Sequence, residues 1–238
     1  MGSKNSRFGL AYESLWIMND ITIIMPTFNK VPKHWAEYHR KVLTEAIGDT
    51  PIITISKEPL DWGINLLQTE YGLINIFKQI LRGAELAQTS YIAIAEDDTL
   101  YPKEHFEYRP PLDTVAYDMT RWILCTWGEP FYFHKPHISN GGMIAPRELL
   151  IEAIQERLKN PQDKLGWFKE IGRNDWERKH GFIKRKSVQF YSSQPYVCFN
   201  HDFSIDKLER RHKKKVWPVQ AYDIPKWGRA EELRKKFI

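Results

Sequence analysis

The sequence has only two cysteines in 238 residues, and this scarcity excludes two kinds of protein. Cys125 and Cys198 lie in apolar surroundings without zinc-ligand spacing, so neither a disulfide scaffold nor a cysteine zinc site is predicted. The chain also lacks an apolar run long enough to cross a bilayer, and it lacks a signal-peptide pattern. These shortages predict a cytoplasmic globular protein.

Internal repeats and low-complexity linkers are also missing, and the hydrophobic content of 42% is too high for a disordered chain. We therefore predict an N-terminal arm over 1–19, one globular domain over 20–205 and a basic C-terminal extension over 206–238.

Basic residues are concentrated in the last part of the chain. Residues 169–238 carry 18 Lys plus Arg against 9 Asp plus Glu, whereas residues 1–168 carry 17 against 21. An acidic body followed by a basic segment indicates a polyanionic partner.

The stretch Tyr91–Pro102 combines an apolar run with three adjacent acids. The run Tyr91–Ala95 has no polar alternation, which is typical of a central strand buried on both faces. Glu96, Asp97 and Asp98 follow it and repel one another, so a divalent cation would offset their charge. The alternative is a solvated acidic turn at the end of a strand.

Around this stretch the pattern alternates between strands and helices. We predict strands over 20–26, 51–56 and 91–95, and helices over 33–47 and 71–87, with a loop over 61–68. This β-α-β-α-β order predicts a mainly parallel α/β sheet flanked by helices. Further strands are predicted over 115–118, 122–127, 131–133 and 195–200, with helices over 147–158 and 176–180.

Read together, the motifs resemble the GT-A-type glycosyltransferases, which have a Rossmann-like, mixed fold. The resemblance covers roughly residues 20–205 and rests on the order of five segments: Ile21–Asn29, Glu96–Asp98, Asn140–Met143, Asn174–Trp176 and Asn200–Asp202. Two positions depart from the family pattern, since Glu96 opens the acidic motif and Asn174 stands where an acid is usual.

The resemblance implies a donor site for a nucleotide-diphosphate sugar, here a UDP-sugar. Asp98 and His201 would hold Mn²⁺ or Mg²⁺, with the imidazole favouring Mn²⁺. Taken alone, His201 is more typical of a core histidine at a strand end, and the acidic strand is what favours the metal ligand. The cofactor-binding residues implied are Pro26, Thr27, Phe28, Asn29, Glu96, Asp97, Gly141 and Gly142.

Individual roles follow from the same resemblance. Glu96 would meet the ribose or a metal-bound water, and Phe28 would stack on the base unless it belongs to the core. Asp175 would be the general base of an inverting hexosyl transfer, with Glu177 as its substitute. Asp175 is also placed to cap the helix that follows it.

The basic residues suggest the acceptor. Phosphate contacts are predicted for Arg178, Lys179, Lys184, Arg185, Arg210, Arg211, Lys213, Lys214 and Lys215. A hydroxymethylated base in DNA, presented outside the stack, is the acceptor that we infer from them. Basic runs also occur as solvated helix faces or on anionic lipid surfaces.

Other functions remain open at this point. A saccharide or lipid-linked acceptor is common among such enzymes. A metal-dependent nuclease or nucleotidyltransferase would also use acids and a histidine, and a non-catalytic DNA-binding module would need only the basic residues.

Overall fold

A computed structural model describes residues 19–70, 72–159, 169–202, 204 and 216–238. All of the predicted arm 1–19 except Asn19 lies outside the described residues, and so do the basic residues Lys207, Arg210, Arg211 and Lys213–Lys215. Within the described residues, two larger β-sheets, one two-stranded sheet and five α-helices build three apolar clusters.

The larger sheet has seven strands in the order β10-β6-β9-β4-β1-β2-β3. Their bounds are β1 (Ile21–Pro26), β2 (Ile52–Ser56), β3 (Ile64–Leu67), β4 (Tyr91–Ile94), β6 (Thr114–Asp118), β9 (Met143–Pro146) and β10 (Lys186–Phe190). Neighbouring strands are parallel except around β9, which runs antiparallel to both β4 and β6. The prediction of a mixed, mainly parallel α/β sheet is confirmed.

A second sheet of five strands has the order β12-β8-β7-β11-β5. It consists of β5 (Thr99–Leu100), β7 (Arg121–Cys125), β8 (Tyr132–His134), β11 (Tyr196–Asn200) and β12 (Gln220–Ala221), and a hairpin of β13 (Asp223–Ile224) and β14 (Gly228–Arg229) follows it. Because β5 begins directly after the acidic stretch and pairs with β11, this sheet brings the late part of the chain to the end of β4.

The helices are α1 (Lys33–Ile47), α2 (Leu73–Leu86), α3 (Arg147–Leu158), α4 (Asn174–Lys179) and α5 (Ala230–Lys235). Helices α2 and α3 cover one face of the large sheet through Phe77, Ile80 and Leu150. The second sheet, with Leu43 and Ile47 of α1, covers the other face. Both faces are therefore buried, which explains why the central strands are apolar without alternation.

Helix bounds agree closely with the local pattern. Helices α1 and α3 have the predicted bounds, and Gly48 ends α1 with a φ of 55°, a conformation that glycine adopts without strain. No helix among the described residues combines the length and the apolar character needed to cross a bilayer.

Three features differ from the predictions. The predicted loop 61–68 contains β3, a half-buried strand that pairs on one side with β2. The tight entry to it needs Gly63, since a Cβ there would lie 2.2 Å from the carbonyl oxygen of Ile52. Strand β10 begins within the basic cluster 184–186, because an edge strand with exposed residues carries a weak apolar signal.

The third difference concerns the last described segment, 216–238, which the sequence suggests is part of a basic extension. Strand β12 pairs with β8, and Leu233 and Phe237 pack in a cluster with Trp35 and Phe199. This segment is thus built into the core on the outer face of the second sheet.

Candidate functional site

The acidic stretch lies where three elements meet. Strand β4 ends at Ile94, and Glu96–Asp98 form the turn that leads into β5. The backbone N–H of Phe199 donates to the carbonyl of Asp98 at 2.8 Å, which fixes the end of β11 against this turn. The position follows the general rule that sites in open α/β sheets form beyond the carboxyl ends of the strands.

Asp98 and His201 meet at this point. The Nε2 atom of His201 lies 3.3 Å from Oδ2 of Asp98, although 103 positions separate the residues in the chain. The His201 side chain is almost fully buried, and that of Asp98 is 20% exposed. The predicted proximity of the two side chains is confirmed, and their role as metal ligands stays a prediction.

Asp97 is held from two other elements. The hydroxyl of Thr27, directly after β1, donates to Oδ2 of Asp97, and the indole N–H of Trp35 in α1 donates to its backbone carbonyl at 2.8 Å. The aromatic ring of Phe237 in turn lies 4.7 Å from that of Trp35 and 5.0 Å from the imidazole of His201, between ring centroids. The acidic turn and the histidine therefore share one aromatic support.

The segment after β1 has a specific backbone shape. Asn29 has a φ of 55°, and its side-chain oxygen accepts from the backbone N–H groups of Lys57 and Glu58, both at 3.0 Å. Pro26 is still paired within the sheet, opposite Ile55, and Phe28 is half-buried with the ammonium of Lys30 5.8 Å from its ring centroid. Of the four predicted residues, Thr27 contacts the acidic turn directly, and Asn29 shapes the loop.

Negative charge accumulates in this turn. Burial, together with the charge of Asp98, raises the pKa of Glu96 to about 8, although the charge of Arg121 opposes the shift. Burial and Asp98 also raise the pKa of Asp97 to about 6, and the hydrogen bond from Thr27 partly opposes that shift. A cation bound among these acids would relieve the repulsion that raises both pKa values.

The side chains present fit a divalent cation that shares its ligands with a substrate. Asp98 offers oxygen and His201 nitrogen, a donor pair suited to Mn²⁺. No group of three or more acids, histidines or cysteines in the described part of the chain is arranged to surround an ion. Such a cation would therefore take its other ligands from water or phosphate oxygens, as Mg²⁺ sites commonly do.

A nearby histidine does not neutralise the acids. His39 of α1 is buried beneath the turn, and burial lowers its pKa to about 4 despite the opposing charge of Asp98. Its imidazole is therefore uncharged at neutral pH.

Gly141 and Gly142 form a short 3-10 helix, Asn140–Gly142, against the acidic turn. A Cβ at Gly141 would lie 2.5 Å from Oε2 of Glu96, and one at Gly142 would lie 2.5 Å from the hydroxyl oxygen of Tyr196. These contacts show why both positions need glycine: the backbone approaches the side chains of the site itself. Their predicted contact with a donor sugar stays a prediction.

The two predicted catalytic acids have opposite environments. Asp175, in the first turn of α4, has a side chain that is 97% exposed and lies 3.5 Å from Arg178. Glu177 is fully buried: its carboxylate pairs with Arg157 at 3.2 Å and accepts from the backbone N–H groups of Gly172 and Arg185. Glu177 therefore anchors the backbone around α4, and Asp175 alone is accessible to a substrate.

The residues predicted to contact phosphate also differ in exposure. Arg178, Lys179 and Lys184 are exposed, whereas Arg185 is buried and its guanidinium pairs with Glu156 at 2.6 Å. Burial and this ion pair leave Arg185 unsuited to contact a nucleic-acid phosphate, contrary to the prediction. The other five predicted contacts, Arg210, Arg211 and Lys213–Lys215, lie outside the described residues.

Sequence reasoning missed Arg121, Tyr101 and the support from Trp35. The hydroxyl oxygen of Tyr101 accepts from the backbone N–H of Glu96 at 3.1 Å, and Arg121 lies close enough to affect the charge of Glu96. A lone arginine at the start of a strand carries no motif, so no local signal could have identified it. Trp35 lies in the predicted helix 33–47, but its hydrogen bond to Asp97 depends on tertiary contacts.

Comparison with known proteins gives structural resemblances alone. No family model and no curated protein matches the sequence. Among solved structures, the chain is similar to a glycosyltransferase involved in the glycosylation of the major capsid of PBCV-1, with a TM-score of 0.45 and 14% identity over 82% of this chain and 98% of that one. It is also similar to the mannosyltransferase PcManGT from Pyrobaculum calidifontis, solved in complex with GDP-Man and Mn²⁺.

The second likeness has a TM-score of 0.46 and 15% identity over 83% of this chain and 66% of that one. Sequence identities this low carry no residue roles from either protein to this chain. The function has to be inferred from the side chains of the chain itself.

Proposed function

We propose that this protein is a metal-dependent glycosyltransferase that uses a nucleotide-diphosphate sugar, with a UDP-sugar as its donor. The observation that carries the proposal is the meeting of Asp98 and His201 at the mouth of the central strand, 3.3 Å apart. Two donors of different chemistry, supported by a buried acidic turn, suit a cation that also binds a diphosphate.

Asp98 and His201 would hold the cation, either Mn²⁺ or Mg²⁺. When bound, it would act as a Lewis acid for the negative charge that develops on the departing diphosphate. Thr27 and Trp35 keep Asp97 in place through its carboxylate and carbonyl. The protein thus holds the turn in shape before the substrate arrives, which lowers the reorganisation needed during the reaction.

The donor's base would lie near Pro26–Asn29, next to the contact between Thr27 and Asp97. The half-buried ring of Phe28 would stack on the base, and Glu96 would approach the ribose. Gly141 and Gly142 leave room for the donor sugar beside Glu96, since any side chain at Gly141 would enter the space of that carboxylate.

The transfer itself would proceed with inversion. The acceptor hydroxyl oxygen forms a bond to the anomeric carbon, the bond between that carbon and the diphosphate oxygen breaks, and UDP leaves with the electron pair. The proton of the hydroxyl passes to Asp175, whose exposed carboxylate stands in the first turn of α4.

For the acceptor we propose a hydroxymethylated base in DNA. The segment that carries Asp175 also exposes three basic side chains, Arg178, Lys179 and Lys184. A polyanion bound to them would present its hydroxyl near the carboxylate of Asp175. A gel shift with hydroxymethylated duplex over a series of salt concentrations tests this acceptor. Binding that is absent or insensitive to salt would contradict a DNA acceptor and would favour a saccharide or lipid-linked acceptor.

The central test is release of UDP from UDP-glucose, UDP-galactose and UDP-N-acetylglucosamine with Mn²⁺. We expect release to fall roughly 100-fold in Asp98→Ala and His201→Ala, because each loses one of the two ligands. Titration of Mn²⁺ by electron paramagnetic resonance should show weaker binding in both variants.

Asp113→Ala is the matched control, since this acid is exposed and pairs with Lys186 on the surface. Asp113→Ala should release UDP at the wild-type rate. Wild-type release in Asp98→Ala would contradict the proposed metal site, and scission of DNA without UDP release would indicate a nuclease.

A further inference from the structure

Arg121 carries a buried charge that the proposed mechanism does not use. It is the first residue of β7, and the whole residue is 8% exposed. Its Nε atom has no hydrogen-bond partner among the residues that the structure describes. Its guanidinium group also forms no ion pair or side-chain hydrogen bond with any described residue, whereas Arg157 and Arg185, which are equally buried, both pair with glutamates.

Such an arrangement is costly for the folded protein. A guanidinium removed from water loses strong hydration, and a folded protein normally compensates with hydrogen bonds or a paired acid. Buried polar groups without partners are uncommon, and where they persist they mark sites at which function opposes stability.

The position of Arg121 places it beside the proposed donor site. In the register of the second sheet it lies opposite Tyr196, whose hydroxyl lies 3.4 Å from the hydroxyl of Ser139 and 2.5 Å from the place that a Cβ at Gly142 would occupy. The backbone N–H of Lys135 donates to the carbonyl of Arg121 at 2.9 Å, which brings the segment 135–140 alongside it. Arg121 therefore lies between this segment and Glu96.

The charges around Arg121 favour an anion on the side of His137. Burial lowers the pKa of His137, and so do the positive charges of Lys135, Arg121 and Arg173. Glu170 is the acid that opposes them, but it already pairs with Arg173. On the other side, Glu96 is close enough to feel the charge of Arg121 yet forms no ion pair with it in the described structure.

We propose that Arg121 binds an anionic group of a substrate, a carboxylate or a phosphate monoester, that enters between Glu96 and the segment 135–140. A planar guanidinium offers two parallel N–H groups to such an oxyanion. The hydroxyls of Ser139 and Tyr196 are neutral neighbours that can complete its hydrogen bonds. This inference rests on the proposed function, because the group belongs to one of its two substrates.

The group has two possible sources: a donor sugar that carries a carboxylate, or an acceptor that carries a carboxylate or phosphate. Thermal shift of the full chain separates them. One arm compares UDP-glucuronate with UDP-glucose in Mn²⁺, and the other compares glucose 6-phosphate and glucuronate with glucose in the presence of UDP and Mn²⁺. The neutral ligands are the matched controls.

Arg121→Met is the test variant. We expect its melting temperature to equal or exceed that of the wild type, because the methionine fills the space and removes an unpaired charge. We expect the anionic ligand that stabilises the wild type to bind it on the order of tenfold to 100-fold more weakly, and the neutral ligand of the same pair to lose much less affinity. The affinity of Arg121→Lys for the anionic ligand should lie between that of the wild type and that of Arg121→Met, since lysine keeps the charge without the paired N–H groups.

Arg109→Met controls for loss of positive charge, because Arg109 pairs with Asp20. It should keep the response to every ligand. The inference is overturned if Arg121→Met melts several degrees lower, which would make Arg121 a structural counter-charge. It is also overturned if no anionic ligand stabilises the wild type or if the variant binds them equally well.

The outcome is separable from that of the proposed function. If the chain fails to bind any UDP-sugar but glucose 6-phosphate stabilises it through Arg121, the glycosyltransferase proposal fails and the anion site stands. If UDP-sugars bind and the binding of no anion depends on Arg121, the glycosyltransferase proposal stands and the anion site fails.

Discussion

The indole N–H of Trp35 donates a hydrogen bond to the backbone carbonyl of Asp97 at 2.8 Å. Trp35 is fully buried and also packs against Phe237 of the last described segment. One side chain of α1 thus links the middle of the acidic turn to the end of the described chain.

Trp35→Phe removes this hydrogen bond and keeps most of the aromatic packing. We expect a loss of about 1–3 kcal/mol in the free energy of unfolding, since the buried carbonyl of Asp97 loses its donor. Weaker Mn²⁺ binding should accompany it, because the turn is less well held. Denaturation in urea measures the first effect, and a Mn²⁺ titration measures the second.

Trp122→Phe is the matched control, because the described contacts of Trp122 include a ring contact with His134 but no indole hydrogen bond. It should leave Mn²⁺ binding unchanged. An equal loss of Mn²⁺ affinity in both variants would show that the Trp35 hydrogen bond does not support the site.

Gly141→Ala and Gly83→Ala should affect different properties. A Cβ at Gly141 would lie 2.5 Å from the carboxylate of Glu96, which can rotate away, so we expect a catalytic loss of about tenfold with little change in stability. A Cβ at Gly83 would lie 2.9 Å from the side chain of Ile24 in the core. That variant should lose about 1–2 kcal/mol of stability with unchanged turnover, the cost of overpacking being reduced by the helix propensity of alanine.

Turnover and urea denaturation of both glycine variants measure this contrast. A Gly141→Ala variant with full activity would show that the position of the Glu96 carboxylate does not matter for the reaction.

Asp175→Asn and Glu177→Gln should separate the catalytic acid from the structural one. We expect Asp175→Asn to lose roughly 100-fold or more in turnover without loss of stability, since its side chain is almost fully exposed. Glu177→Gln leaves the buried guanidinium of Arg157 without its counter-charge, so we expect a loss of about 3 kcal/mol in stability. Full activity in Asp175→Asn would remove this residue from the mechanism.

The buried pair of His105 and Asp118 should make stability depend on pH. Burial opposes ionisation of Asp118, but the hydrogen bond from His105 at 2.9 Å, with further bonds from Thr120 and Ser192, holds its pKa below the ordinary value. Because the folded pKa is the lower one, this contribution is present above pH about 4 and is lost as the pH falls through the folded pKa.

Asp118→Asn should therefore lower stability by about 1–3 kcal/mol near neutral pH and should flatten the acid limb of the stability curve. Urea denaturation between pH about 2 and 7 measures both the loss of stability and the slope of the acid limb. Asp113→Asn, on the surface, is the control and should change little. An acid limb as steep in Asp118→Asn as in the wild type would assign the pH dependence to other carboxylates.

Much of the candidate site could be predicted, but with different degrees of support. The acidic end of β4 follows from the apolar run before it, and the pairing of Asp98 with His201 was inferred from the resemblance and is confirmed as a contact. The phosphate-contact prediction for Arg185 failed, because charge in the sequence does not show whether a side chain finds a buried partner. Arg121 was missed for the same reason.

The sequence by itself determined the elements whose signal is local: the bounds of α1 and α3, the order of strands and helices up to β4 with the exception of β3, and the acids at the end of β4. The tertiary structure decided that Glu177 is a buried anchor, that 216–238 belongs to the core and that Arg121 is buried. The physical reason is that periodicity and polarity act over a few residues. The partner of a charge or of an edge strand, in contrast, depends on the order of strands in a sheet assembled from distant parts of the chain.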